Sequence, residues 1–360
     1  MLEVQNFLRT TPDALKALEA KYSIKAKRHS KYSNLVLFKY SQIDSPFQEP
    51  IVQECRGLIL DESNNWEVVC YTYFKFFNVF EPLAAMIDWS TAKVQEKLDG
   101  SLIQVFSYNG EWLVATSGTP DAQTPIGDYG TTFYDMFWRV FKTPPPGLEL
   151  DRGYCYAFEL CCPENRVVVQ HKEPRLVLHG IRDLLDFKEI DPLTTRWCFA
   201  FETPRNFPLT SIESCLEAAK RLDPLQQEGY VVVDAQFNRV KVKSPAYLAL
   251  HHAKDGLLSL KHIALIIRTG ESEELKMALL AFPELKPHFD KFVTRYDEIV
   301  QQANASYLKV KNIKSQKEFA LAVLKEYYPN ILFAMRKGSC TPQEYMLKVT
   351  EPAYLRMMNL

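Results

Sequence analysis

The chain has 360 residues, of which 47% are hydrophobic and 12% aromatic, enough for two or three domains with a sizeable core; global disorder is excluded. A formal net charge of -1 excludes an overall basic surface, so any contact with nucleic acid must use a local patch. Eight cysteines form no CxxC pair and no Cys/His zinc spacing, which predicts reduced, mostly buried thiols. The start, "MLEVQNFLRTTPDALKALEA", is amphipathic and lacks the apolar core of a signal peptide. No apolar run approaches the roughly 20 residues of a membrane span, so a cytoplasmic protein is expected, in the host cytoplasm if the source is a virus.

Up to about residue 250, short β-branched and aromatic runs bounded by turn residues predict strands. In chain order they are "NLVLFKY" at Asn34, "RGLIL" at Arg56, "WEVVCYTYF" at Trp66, "SLIQVF" at Ser101 and "EWLVATS" at Glu111. Four more follow: "YCYAFEL" at Tyr154, "RLVLHGI" at Arg175, "GYVVVD" at Gly229 and "RVKVK" at Arg239. Two amphipathic segments, "TTFYDMFWRVF" and "SIESCLEAAKRL", predict helices, with Ser211 capping the second. "KTPPPGLELDRG" is a loop, since three prolines can continue neither a helix nor a central strand. Helices do not alternate regularly with strands, which predicts an α+β fold with antiparallel sheets.

After "KVKSPAYLALHH" the spacing turns helical. The segments are "LLSLKHIALIIR", "ESEELKMALLAF", "LKPHFDKFVTRYDEIVQQAN", "SQKEFALAVLKEYY", "YPNILFAMRKG" and "TPQEYMLKV". The expected division is therefore a strand-rich domain over residues 1–252 and a helical domain over 253–360. Between Lys309 and Lys337, seven basic residues face two acidic ones, either a solvated face or a phosphate-contacting surface.

One turn stands out. "VQEKLDGSLIQVF" places Lys97 at the end of a strand, followed by Leu98, Asp99, Gly100 and Ser101. A turn needs the Asp and Gly but not the lysine. Asp99 could hydrogen-bond or hold a metal-bound water, and Gly100 lets the backbone approach a ligand. A lysine amine becomes a nucleophile when desolvation or nearby positive charge lowers its pKa. Around this turn, in order, come "ECRGLIL" with Arg56, "YFKFFN" with Lys75 and Phe77, and "YAFELCCPENRVVV" with Glu159. "EGYVVV" with Glu228 and "RVKVKSPAYL" with Lys241 and Lys243 complete the set. A carboxylate inside the apolar run "YAFEL" is costly unless paired, which favours a site role for Glu159. Strand alternation puts Lys241 and Lys243 on one face and Val240 and Val242 on the other.

This ordered set resembles the nucleotidyltransferase motifs of covalent ligases and capping enzymes, and is most similar to the phage-type RNA ligase 1 family over about residues 35–250. The resemblance implies an antiparallel-sheet, ATP-grasp-like nucleotidyltransferase domain followed by an all-helical C-terminal domain. It implies an enzyme that uses ATP and Mg²⁺ or Mn²⁺ to join RNA with 5′-phosphate and 3′-hydroxyl ends, such as broken tRNA. An end-healing kinase-phosphatase would be a further partner. Lys97 matches the lysine that carries AMP. Lys241, Lys243, Arg56 and Lys75 match residues that act on the phosphates. The implied nucleotide-binding set is Arg56, Lys75, Phe77, Glu96, Lys97, Leu98, Gly100, Glu159, Lys241 and Lys243. The implied metal-associated set is Asp99, Glu159 and Glu228.

The chain departs from the family pattern twice. Ser117 stands before Gly118 where a lysine is usual, so the phosphates are gripped without it or by another cation. Leu178 and His179 stand where many relatives place a base-stacking aromatic, which predicts an apolar sandwich instead. A DNA ligase, another lysyl-nucleotidyl enzyme and a catalytically silent RNA-binding protein are the alternatives. The helical C-terminal region, where DNA ligases and capping enzymes continue into a β-rich OB domain, speaks for the RNA ligase branch.

Overall fold

Three sheets and the helices that cover them make up the first 247 residues in a computed structural model of the chain. The structure describes residues 1–257, 264–265, 267–268, 286–338 and 340–360. The fold opens with helices α1 (Glu3–Thr10) and α2 (Ala14–Tyr22). The first sheet is a meander of β1 (Ile24–Arg28), β2 (Leu35–Tyr40), β3 (Arg56–Asp61) and β4 (Glu67–Cys70), with helix α3 (Pro50–Glu54) leading into β3. β2 is buried on both sides. Val36 and Phe38 pack beneath α1 and α2. Leu35 and Leu37 meet Ile59 and Phe106 on the other face.

The remaining strands are β5 (Phe77–Asn78), β6 (Lys93–Lys97), β7 (Ser101–Tyr108), β8 (Glu111–Thr116), β9 (Tyr154–Cys161) and β10 (Arg175–Asp183). They continue as β11 (Glu189–Ile190), β12 (Asn206–Phe207), β13 (Gly229–Val233) and β14 (Arg239–Lys243). One sheet runs β11-β10-β9-β7-β8 and the other β12-β6-β13-β14-β5. Every pairing is antiparallel except the short β14–β5 contact. Helix α4 (Phe133–Val140) sets Met136 and Phe137 against Tyr156 and Phe158 of β9. Helix α5 (Ile212–Lys220) sets Cys215 and Ala219 against Val232, Val240 and Val242. Each such Val, Phe or Met side chain contributes roughly 1.5–3 kcal/mol of burial. The Ser211 hydroxyl accepts from the Ser214 N–H and caps α5. All eight cysteines are free thiols, six of them buried.

The strand over Trp66–Phe74 is shorter than its composition suggests and ends at Cys70, because Tyr73 and Lys75 leave the sheet for other partners. Helix α6 (Pro245–Leu257) begins in this unit, which ends at Tyr247. In the second unit, Leu248–Leu360, the described residues form α7 (Lys286–Val310), α8 (Gln316–Val323), α9 (Pro329–Arg336), α10 (Pro342–Lys348) and α11 (Glu351–Met357). "ESEELKMALLAF" and most of "LLSLKHIALIIR" lie outside the described residues. No helix among the described residues is long and apolar enough to cross a membrane.

Candidate active site

Two close approaches shape the turn that carries Lys97. β6 pairs with β13 so that Lys97 sits opposite Gly229, and β7 pairs with β9 so that Leu102 sits opposite Glu159. A Cβ on Gly100 would lie 2.4 Å from the Leu160 carbonyl oxygen, and one on Gly229 would lie 2.2 Å from that of Val242. Only glycine fits at either position, so the turn is pressed onto β9 and Lys97 is fixed at the strand end.

Lys97 opens onto a cavity of about 590 Å³. Glu96, Leu98, Gly100, Arg56, Glu159, Lys241 and Lys243 line the same space. Lys97 Nζ donates to Glu228 Oε2 at 2.6 Å, and Lys243 Nζ lies 3.0 Å from Oε1 of the same carboxylate. Glu228 is 3% exposed, so one buried carboxylate holds two ammonium groups. Among the described residues, Lys241 has no such partner. Burial and the charges of Arg56, Lys97, Lys75 and Lys243 push its pKa down to about 7. The alternation expected of "RVKVK" holds, since Lys241 and Lys243 face the cavity while Val240 and Val242 are core. Arg56 lies 4.9 Å above the Phe76 ring, and its buried Nη1 has no hydrogen-bond partner. Donors left unpaired in this way have room for an anion.

Lys75 and Phe77 stand beside the cavity rather than in its wall. Lys75 Nζ lies in an aromatic cage, 4.1 Å from the Phe47 ring, 4.8 Å from Tyr40 and 5.1 Å from Phe77. Burial and Arg56 lower its pKa. Phe77 is a wall of this cage.

The carboxylates are divided in their tasks. Glu159 Oε1 accepts from the Gly100 N–H at 3.1 Å, and Oε2 lies 3.4 Å from His179 Nε2. Glu96 is held by Arg205, whose Nε donates to Oε2 at 2.8 Å. Asp99 does not line the 590 Å³ cavity, and its carboxylate is committed to the protein. Its Oδ2 accepts from Val168 N–H at 2.9 Å and Val169 N–H at 2.7 Å, and its Oδ1 accepts from the Tyr247 hydroxyl at 2.7 Å. The carboxylate expected near a metal-bound water instead ties the turn to a loop and to α6. Asp99→Ala strands these buried donors, and urea denaturation is expected to show a loss of about 3 kcal/mol with or without added metal. Among the described residues, no group of three His, Cys, Asp or Glu is arranged to hold a metal by itself.

The apolar sandwich expected at Leu178 does not form. Leu178 is fully buried in the core under α4, and His179 faces the cavity. Its ring stacks on Tyr73 at 5.5 Å and 7°, and the Tyr73 hydroxyl lies 2.9 Å from Nδ1. The Arg239 guanidinium lies over the Tyr73 ring, 4.8 Å from its centroid. Sequence reasoning missed this stack, because its members lie on separate elements with no shared motif. It also missed Lys27 and Lys39, which line the cavity near Gly118.

The lowered pKa of Lys241 has a consequence for stability. Between pH 7 and 10.5 the unfolded chain binds a proton at this residue that the folded chain does not, so stability rises with pH across that window. Lys241→Met is therefore expected to raise the melting temperature at pH 7 by roughly 3 °C or more. The gain should shrink as pH approaches 10, as thermal denaturation at several pH values would show.

Residues 54–247 match the RNA ligase family model of the T4 type, slightly more than half the chain. Over 382 aligned positions the chain is 27% identical to a protein of Autographa californica nuclear polyhedrosis virus described as a candidate bifunctional polynucleotide kinase/RNA ligase. That alignment takes in 100% of this chain and 53% of the relative, so the chain spans about half the length of that protein. The RNA ligase of Rhodothermus phage RM378 is 26% identical over 379 positions, with 85% of each chain covered. An archaeal ATP-dependent RNA ligase shares the fold with a TM-score of 0.52 at 12% identity, over 81% of this chain and 82% of that one. With the matched span running from the start of β3 through the lysine turn to the Lys-x-Lys strand, the chain belongs to the T4-type RNA ligase family.

Proposed function

We propose that this chain joins RNA 5′-phosphate and 3′-hydroxyl ends in an ATP-dependent reaction that passes through AMP held on Lys97. The observation that carries the reading is Lys97 Nζ, 2.6 Å from Glu228, in a cavity that also collects Arg56, Lys241 and Lys243. In the first step Nζ sheds a proton, for which Glu228 Oε2 is the acceptor within reach. The nitrogen bonds to the α-phosphorus of ATP, and the bond from that phosphorus to the bridging oxygen breaks as pyrophosphate leaves. In the second step a 5′-phosphate oxygen of RNA attacks the same phosphorus and Lys97 departs, regaining its proton. In the third, a 3′-hydroxyl attacks the RNA phosphate and AMP leaves. Each displacement is in-line, so positioning and charge neutralisation carry most of the catalysis. Arg56, Lys241 and Lys243 supply that charge from the cavity wall.

Mg²⁺ or Mn²⁺ would add charge neutralisation at the phosphates. Of the carboxylates lining the cavity, Glu96 is held by Arg205 and Glu159 is the one suited to it, whereas Glu228 keeps both oxygens on Lys97 and Lys243. Glu159 would share such a metal with phosphate oxygens and water. Leu102, Val231 and His179 are suited to the adenine base.

Residues 1–252 would act as the adenylyltransferase and 253–360 as a helical RNA-binding domain, supported by the excess of basic residues from Lys309 to Lys337. Deleting 255–360 should then impair sealing of tRNA-like substrates more than transfer of AMP to protein. The kinase named in the baculovirus relative supports an end-healing partner. The reading is tested with a 5′-labelled RNA bearing a 3′-hydroxyl. Sealing should require ATP and a divalent metal, and blocking the 3′ end should make the adenylylated RNA accumulate. Sealing without ATP that continues past one joining per protein molecule, after pyrophosphate discharge of any bound AMP, would defeat it.

A further inference from the structure

One part of the cavity wall carries positive charge that no carboxylate among the described residues neutralises. β2 and β3 pair with a register shift: Phe38 lies opposite Leu58, but Lys39 lies opposite Arg56. The extra residue is Gly57, with φ +87°, so β3 bulges there. The bulge has a structural reason, because a Cβ on Gly57 would lie 2.8 Å from Ser117 Cα. Its effect is to set two cations directly across a strand pair, an arrangement that ordinarily destabilises a sheet. Lys25 of β1 continues the row, opposite Lys39.

Lys39 is the polar exception in a strand otherwise buried on both faces. Its Nζ sits 3.1 Å from where a side chain on Gly118 would begin, so the bare glycine leaves it room. Lys27 Nζ donates to the Gly118 carbonyl at 2.9 Å and adds a further charge at the rim. Burial, Lys27 and Arg56 all lower the pKa of Lys39, and no carboxylate offsets them. Together with the unpaired Nη1 of Arg56, this is a wall built for an anion of high charge density. Ser117, at the position where a lysine would otherwise be expected, lines the same wall.

We propose that Lys39, set beside Arg56 by the Gly57 bulge, binds the pyrophosphate portion of ATP and so supplies the cation that Ser117 does not. The proposal rests on the ligase reading for the identity of the nucleotide, but not for the anion site itself. Lys39 touches the leaving group, whereas Lys97 attacks the α-phosphate, so the two lysines act at different phosphates.

The test is isothermal titration of the full chain with inorganic pyrophosphate, ATP and AMP, for wild type, Lys39→Ala and Lys39→Met. The methionine variant keeps the packed stem of the side chain and guards against loss of folding in the alanine variant. Removing Lys39 is expected to weaken pyrophosphate and ATP at least tenfold and AMP less than twofold. Unchanged pyrophosphate binding in Lys39→Met would overturn the proposal, as would equal weakening of all three ligands. Lysyl-AMP formation by the wild type is scored separately. Its absence would remove the ligase reading and leave the pyrophosphate result to judge the anion site.

Discussion

Lys97→Ala is expected to abolish the covalent AMP adduct and to lower ATP-dependent sealing by at least ~10⁴-fold, the scale on which enzymes lose a covalent nucleophile. The two lysines of β14 cannot take over. Lys243 is held by Glu228, and Lys241 lies two strands from the Lys97 turn, across β13. Lys97→Arg should be as inactive, since a guanidinium keeps the positive charge but cannot be deprotonated to attack. Sealing of RNA that already carries the 5′-adenylate needs no attachment to Lys97, and it should fall by no more than about 10²-fold, the worth of one charged contact. Gel assays with ATP and with preadenylylated RNA separate the two effects. Equal loss in both would make Lys97 a structural residue.

The second large effect is expected at Glu228. Its carboxylate is almost fully buried and holds Lys97 and Lys243 on its two oxygens. Glu228→Ala leaves two neighbouring ammonium groups with no counter-charge, which costs about 3 kcal/mol or more of stability. It also frees Lys97 to leave its aim, so adenylylation should fall by ~10²–10³-fold. Glu228→Gln keeps the shape and one acceptor oxygen, and should lose less in both respects. Single-turnover labelling beside thermal denaturation reads the two quantities. Labelling of Glu228→Ala within a few-fold of wild type would show that Lys97 needs no such support.

Much of this arrangement could be read from the residues. β7, β9 and β14 carry clear apolar patterns, alternation directs Lys241 and Lys243 to one face, and Lys97 stands out at a strand end where the turn does not need it. Three things resisted. β1, "IKAKR", is an edge strand with only Ile24 buried, so it has no periodic signal. Asp99 carries the right residue type at the right spacing, yet its partners Val168, Val169 and Tyr247 come from distant chain segments that the motif does not encode. Lys39 was hidden because its direction depends on a bulge in the neighbouring strand at Gly57, and a register shift leaves no trace in the sequence of the strand it re-aims.

The covalent lysine is the claim on which the rest depends, and intact-protein mass spectrometry tests it directly. The purified chain is measured as isolated, after inorganic pyrophosphate to discharge any AMP already bound, and after ATP with a divalent metal and no RNA. Peptides digested at alkaline pH, where a phosphoramidate survives, then locate the adduct. The account predicts a mass gain of one AMP after ATP, lost again with pyrophosphate, on the peptide containing Lys97. No gain after discharge and ATP, or AMP on any other residue, would contradict it.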